Sequence, residues 1–148
     1  MFQHIVAAID DDTIRRGRVI DATRELAVAL KKPRVVVAHI RELERSAGAG
    51  RPTTVVPTSA PLALEDEAMA KAIVDDAVHT LQHAGVDATG VVREGGAQTA
   101  KELLDVAEEH DADLIVIGNR GVHVTDLLLG SVAHRIVHGA PCPVLLIR

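Results

Sequence analysis

The chain has 148 residues, of which 47% are hydrophobic and 25% are charged, and its net charge is −5 at pH 7. This length and composition predict one globular domain, residues 1–148, and exclude a disordered chain. The acidic balance and the single aromatic residue, Phe2, argue against binding to nucleic acid, which needs basic patches and rings for base stacking.

Cys142 is the only cysteine, so an intrachain disulfide is excluded. No apolar run approaches 18 residues, and the first residues lead into a strand-like segment without the features of a signal peptide. We therefore expect a cytoplasmic protein without a membrane partner.

Apolar runs alternate with helical patterns along the chain. The first run, HIVAAID, is nearly continuous, which is typical of a strand buried on both faces. Ile14 and Val19 are expected on the apolar face of the first helix, and Gly85 and Gly139 are expected to cap later helices. In chain order the sequence predicts strand 4–10, helix 13–31, strand 34–41, a loop from Glu42 to Leu64, helix 65–84, strand 86–92, helix 99–110, strand 114–117, helix 131–138 and strand 143–147.

This alternation predicts an α/β fold with a five-stranded parallel sheet and helices on both faces. We expect the strand order 3-2-1-4-5, with the more polar third strand near an edge. In such sheets a ligand lies beyond the carboxyl ends of the strands, where the direction of the connections reverses. That rule selects Asp10 at the end of the first strand, Ile40 at the end of the second, and Gly118 to Gly121 after the fourth. These residues converge if the first and fourth strands are neighbours, as they are in the order 3-2-1-4-5.

A glycine motif follows the fourth predicted strand. The strand ends in Gly118-Asn119-Arg120-Gly121, and a second loop closes on Gly130-Ser131, where the last helix begins. Glycine permits tight turns and close approach of the backbone to a ligand, and the free N–H groups at the start of a helix attract anions. The motif is typical of a nucleotide phosphate site.

The motifs resemble those of the universal stress protein family over essentially the whole chain. The resemblance rests on VAAID, VVVAHIRE, EEHDADLIVIGNRG and LLLGSVAHRIVHGAPCPVLLIR, the last two being the most specific. It implies a Rossmann-like fold of the adenine nucleotide alpha hydrolase-like type. It also implies a cytoplasmic stress-response protein that binds an adenine nucleotide, ATP with or without Mg²⁺, as a regulatory switch.

The resemblance also assigns roles to residues of this chain. It places adenosine near Asp10, adenine against the backbone of Ile40, and phosphates at the glycines and the start of the last helix. Arg120 is the nearest positive charge in the loop, and it either contacts a phosphate or is solvated. The residues assigned to the nucleotide are Asp10, Ile40, Ile117, Gly118, Arg120, Gly121, Gly130, Ser131 and Val132.

One spacing departs from the family pattern. Members that bind ATP usually have nine residues between the second glycine of the loop and the Gly-Ser, whereas this chain has eight between Gly121 and Gly130. A site shortened in this way leaves three interpretations open: a binder of ATP, a binder of another adenine ligand such as cyclic AMP, and a homodimeric interaction module without a nucleotide. Pairing of protomers through the final strand, Pro143 to Arg148, is what the resemblance implies for the dimer.

The remaining aspartates and histidines give only weak indications of a metal site or of catalysis. Asp11 and Asp12 either hold Mg²⁺ or cap the first helix, and capping is the expected role of an aspartate at this position. The histidine pairs 79/83 and 134/138 have a spacing that can chelate zinc, but no further ligand accompanies them, so we expect surface histidines and no metal site. The sequence has no nucleophile-base motif, so we expect no catalytic residue and at most slow ATP hydrolysis.

Overall fold

The computed structural model describes residues 1–42, 66–119 and 129–148, and these ranges contain alternating strands and helices. Most of the predicted loop from Glu42 to Leu64 lies outside the described residues. In chain order the elements are β1 (His4–Ala8), α1 (Thr13–Ala29), β2 (Arg34–Glu42), α2 (Glu67–His83), β3 (Asp87–Gly96), α3 (Thr99–Glu109), β4 (Leu114–Gly118), α4 (Ser131–Gly139) and β5 (Val144–Ile147).

The five strands form one parallel sheet in the order β3-β2-β1-β4-β5, which confirms the predicted α/β fold and strand order. β1 pairs with β4 from Ile5 opposite Leu114 to Ala8 opposite Ile117. β3 lies at one edge, as its polar sequence predicts, and β5 lies at the other.

Each face of the sheet carries its own aliphatic core, because alternate side chains of a strand point to opposite faces. α1 and α2 cover one face and α3 and α4 cover the other. The first core includes Ile5, Val19, Val37, Val74, Leu81 and Val116. The second core includes Val6, Ile40, Leu103, Val106, Ile115, Ile117 and Ile136.

Two of the predicted caps are confirmed and one is wrong. Asp12 is the N-cap of α1, where its carboxylate accepts the N–H of Arg15 at 2.8 Å. Gly85 follows α2 with φ of 75°, and the N–H of Val86 donates to the carbonyl of Leu81, as in a Schellman motif. Gly139, by contrast, is the last residue of α4, and Ala140 is the C-cap.

Two further expectations need correction. β3 extends to Gly96 instead of ending at residue 92, because β2 also continues to Glu42 and pairs with it across a bulge. Ile14 does not join the apolar face of α1, since it is 71% exposed. The buried residues of α1 are Val19, Ile20, Thr23 and Ala27.

None of the helices in the described ranges has the length and apolar character that crossing a membrane requires.

Candidate functional site

The sheet places a crevice between the carboxyl ends of β1 and β4. The chain leaves β1 through α1, which packs on one face, and leaves β4 toward α4, which packs on the other. The connections therefore reverse direction between these two neighbouring strands, and this is where α/β sheets hold ligands. Asp10 follows β1 and Gly118 ends β4, so both predicted residues lie at the crevice.

Asp10 is held in place by the first turn of α1. Its Oδ1 accepts the N–H of Asp12 at 3.0 Å, and its Oδ2 accepts a hydrogen bond from Nε of Arg15 at 2.7 Å. The side chains of Asp10 and Arg15 are 24% and 25% exposed, so the ion pair is half-buried at the mouth of the crevice. The carboxylate is oriented there by groups of this chain and remains within reach of a ligand.

Gly118 permits a close approach on the opposite side of the crevice. A Cβ added at this position would lie 3.2 Å from Cγ of Arg15 and 3.3 Å from Cγ2 of Val19. The stem of Arg15 thus crosses the end of β4 because residue 118 has no side chain. Ile117, just before it, is 7% exposed and packs in the core on the α3 and α4 face.

The backbone groups of Ile40 point toward the same crevice. The carbonyl of Ala38 accepts the N–H of Ile9 at 2.9 Å, so the backbone groups of Ala38 point toward β1. Alternate residues of a strand share this direction, and the register pairs of β1 and β2 stop at Ala8 opposite Ala38. The N–H and carbonyl of Ile40 therefore point beyond the end of β1.

A buried histidine supports the backbone that leads into Asp10. Nδ1 of His39 lies 2.9 Å from the carbonyl oxygen of Ile9, and the residue is 3% exposed. Two residues along β2, the buried side chain of Arg41 donates from Nη1 to Oε1 of Glu94 at 2.7 Å. These contacts fix the ends of β2 and β3 beside the crevice.

The start of α4 is joined to the end of β4 by a side chain. Oδ1 of Asn119 accepts the N–H of Gly130, the N-cap of α4, at 3.2 Å. No side chain of the described residues caps the helix, so within these residues the first-turn N–H groups, those of Ser131 and Val132 among them, have no capping oxygen. Such an uncapped helix start attracts a negatively charged group.

The structure thus gathers most of the predicted residues at one edge of the sheet. Arg120 and Gly121 lie outside the described residues. Sequence reasoning missed Arg15 and Asn119. Arg15 belongs to the basic run RRGR, which is typical of a solvated helix face. Only its packing over Gly118 identifies it as a residue of the crevice. Asn119 stands inside the glycine motif, and an Asn beside such glycines is the signal that could have indicated a side-chain tether.

The two histidine pairs and Cys142 lie outside the crevice residues described above. Rings of His79 and His83 have centroids 5.3 Å apart, those of His134 and His138 are 4.5 Å apart, and the described ranges hold no group of three metal-binding side chains. Cys142 packs against the second core, and burial raises the pKa of its thiol, with a smaller contribution from the charge of Asp113.

Fold and site together define a parallel α/β protein with a crevice at the switch point of its sheet. The Universal stress protein family model matches residues 1–148, and the chain belongs to this family. The chain is 33% identical over 150 residues to Universal stress protein A homolog 1 from Coxiella burnetii, covering 97% of this chain and 94% of that protein.

Solved structures agree with the fold. The universal stress protein from Archaeoglobus fulgidus is 28% identical, with a TM-score of 0.72 and complete coverage of both chains. A structure of a universal stress protein from Archaeoglobus fulgidus in complex with dAMP is 23% identical, with a TM-score of 0.69 and coverage of 100% and 98%. A universal stress protein in complex with cAMP is also 23% identical, with a TM-score of 0.67 and coverage of 99% and 97%.

Proposed function

We propose that the protein binds an adenine nucleotide in the crevice between β1 and β4 and acts in the stress response as a nucleotide-dependent regulatory protein. The observation that carries the proposal is the convergence of an oriented carboxylate, Asp10, and an uncapped helix start, Gly130 to Val132, at one crevice. A carboxylate accepts hydrogen bonds from ribose hydroxyls, and the backbone N–H groups at the start of a helix bind phosphate. Proteins of the same fold that hold dAMP and cAMP support it.

In this proposal each end of the nucleotide has its own partners. Asp10 accepts hydrogen bonds from the ribose, the backbone of Ile40 contacts adenine, and the backbone of Ile117 and Gly118 lies beside the nucleotide. The phosphates lie at Gly130, Ser131 and Val132. Arg120 and Gly121 complete the phosphate end by their place in the family motif.

ATP is the ligand that we propose first, with Mg²⁺ bound through the phosphates. Asp12 is already engaged as the helix cap, so the chain contributes charge to the cation chiefly through Asp11, which is exposed. The short spacing between Gly121 and Gly130 favours a smaller ligand, and a monophosphate or cyclic AMP is the alternative. We assign no catalytic residue.

Calorimetric titration of the purified protein tests the function. ATP, AMP and cyclic AMP are titrated separately, each with and without Mg²⁺, and the thermal midpoint is measured at the same concentrations. The proposal predicts heat of binding and a midpoint that rises with nucleotide concentration, because a ligand that binds only the folded state stabilises it. Absence of both effects at millimolar nucleotide would overturn it, and tighter binding of AMP than ATP would select the smaller ligand.

A second candidate is a homodimeric interaction module, favoured by the edge of the sheet at β5. Edge strands expose unpaired backbone groups, and Leu145 on β5 is 39% exposed. We propose that two protomers pair through the segment from Pro143 to Arg148.

Sedimentation of the wild type is expected to show a dimer, and Leu145→Glu is expected to give a folded monomer. Val28→Glu on α1, where the wild-type residue is 56% exposed, is the matched control. A monomeric wild type would exclude the pairing.

We also propose that the protein acts in the cytoplasm. The single cysteine supports this location, because small secreted domains more often carry paired cysteines. Fractionation of cells that express the full chain with a small epitope tag tests it, and recovery in a membrane or extracellular fraction would contradict it.

A further inference from the structure

Arg15 joins the two strand ends that frame the crevice. Its Nε donates to Oδ2 of Asp10 at 2.7 Å, beyond the end of β1. Its Cγ and Cδ would lie 3.2 and 3.4 Å from a Cβ at Gly118, the last residue of β4. The side chain therefore lies across the mouth of the crevice, with one quarter of its surface exposed.

The guanidinium keeps donors for a further partner. Within residues 1–42, 66–119 and 129–148 its only hydrogen bond is the one from Nε, and Nη2 lies 3.9 Å from Oδ2 of Asp12, which is an ion pair but too long for a hydrogen bond. A guanidinium has five N–H donors in a planar fork, and two of them can bind one phosphate together. Arg15 thus combines a carboxylate partner with donors that suit a phosphate.

We propose that Arg15 determines the specificity of the crevice by selecting nucleotides over the corresponding nucleoside. This inference rests on the proposed function. A ribose hydroxyl that donates to Asp10 shares the carboxylate with Nε of Arg15 and weakens the ion pair between the two side chains. Adenosine therefore costs the guanidinium part of its interaction with Asp10 and offers no anion in return. AMP offers its phosphate, so Arg15 exchanges one negatively charged partner for another.

The exchange predicts opposite effects of one substitution on two ligands. Arg15→Met keeps the aliphatic stem beside Gly118 and removes the charge. Without the guanidinium, AMP loses a charge-assisted hydrogen bond, whereas adenosine no longer shares the carboxylate of Asp10 with Arg15. We expect affinity for AMP to fall about tenfold or more and affinity for adenosine to stay equal or rise, so that the ratio of the two affinities falls at least about tenfold.

Calorimetry with AMP and adenosine at fixed ionic strength tests the inference. The matched control is Arg24→Met, which makes the same charge change on the same helix, at a residue whose ion pair joins Asp21. We expect the control to keep the wild-type ratio within about twofold, because that site is solvent-exposed and screened. Added salt is expected to weaken AMP binding more in the wild type than in Arg15→Met.

Two more variants guard against a loss of structure. Arg15→Lys keeps the charge without the planar fork and is expected to restore part of the ratio, and circular dichroism checks the fold of every variant. Asp10→Asn is expected to weaken adenosine binding more than AMP binding.

An unchanged ratio of AMP affinity to adenosine affinity in a folded Arg15→Met protein would overturn the inference while nucleotide binding stands. Absence of any binding to the wild type would overturn the proposed function and this inference with it.

Discussion

Oδ1 of Asn119 accepts the backbone N–H of Gly130 at 3.2 Å, and this contact joins residues eleven positions apart in the chain. The backbone N–H of Asn119 also donates to the carbonyl of Ile147 at 2.8 Å, which anchors Asn119 to β5. One residue therefore fixes the start of α4 relative to the ends of two strands. We therefore expect the position of the proposed phosphate site to depend on this tether.

Removal of the tether is expected to affect binding more than folding. Asn119→Ala loses one hydrogen bond, which costs about 1 kcal/mol of unfolding free energy, and it releases the helix start from β4. We expect nucleotide affinity to fall several-fold. Asn119→Asp keeps an acceptor for Gly130 but adds a negative charge near the phosphates, so it is expected to preserve stability and weaken binding more strongly at low salt.

Urea denaturation and nucleotide titration of both variants check this prediction. Equal affinity for nucleotide in the wild type and both variants would show that the tether does not position the site.

Two glycines are expected to respond in opposite directions to the same substitution. A Cβ at Gly90 on β3 would lie 2.4 Å from Cγ1 of Val74 on α2, so Gly90→Ala forces helix and sheet apart and costs about 1–3 kcal/mol. Gly17 lies in α1 with no atom within 4 Å of an added Cβ, so Gly17→Ala gains about 0.5–1 kcal/mol from helix propensity.

Urea unfolding midpoints of the two alanine variants measure the contrast. The described contact between α2 and β3 would be contradicted if Gly90→Ala were as stable as the wild type.

The end of α1 stores backbone strain that glycine would relieve. Lys31 follows the helix with φ of 62°, in the position that Gly85 occupies after α2. A non-glycine residue in this left-handed region lowers the unfolding free energy by about 1 kcal/mol. Replacement by glycine removes this cost, but the greater freedom of glycine in the unfolded chain cancels part of the gain. Lys31→Gly is expected to raise the unfolding free energy by about 0.5 kcal/mol or more, and Lys31→Ala, which keeps the strain, is the control. Equal stability of the two variants in thermal unfolding would contradict the argument.

Cys142 is expected to react slowly with thiol reagents near neutral pH. Burial raises the pKa of its thiol, and the negative charge of Asp113 raises it further. Only the thiolate reacts, and a raised pKa lowers its fraction at any pH below that value. The rate of labelling by a disulfide reagent is therefore expected to rise with pH, with a midpoint above the value of about 8.5 for an exposed cysteine. The unfolded chain in guanidinium chloride is the control, and a folded midpoint at or below the unfolded one would contradict the prediction.

The sequence predicted the sheet better than it predicted the surface of the site. The parallel sheet followed from the alternation of apolar runs and helical patterns, and the strand order followed from the requirement that the first and fourth strands meet at the switch point. The prediction for Ile14 is wrong because helical periodicity identifies residues that share a face, but it does not show whether that face is covered, and Ile14 is 71% exposed. Arg15 was missed because its role depends on a tertiary contact with Gly118, and no spacing along the chain encodes such a contact.

The spacing between Gly121 and Gly130 is expected to limit the length of the phosphate chain that the site accepts. Eight residues separate the two glycines in this chain, one fewer than the resemblance implies as usual for members that bind ATP. One residue spans about 3.3–3.6 Å. Val122 and Val124 in this segment are β-branched and resist the left-handed conformations that bring N–H groups together around a phosphate.

Insertion of one glycine between Val122 and His123 is therefore expected to raise affinity for ATP about tenfold while changing affinity for AMP much less, because only the distal phosphates gain donors. The control inserts one glycine between Gly48 and Ala49, which makes the same change in composition far along the chain. Calorimetry with ATP and AMP measures both affinities. If ATP affinity does not rise in a folded insertion variant, the missing residue is not what limits ATP binding, and the smaller adenine ligands become the preferred occupants of the crevice.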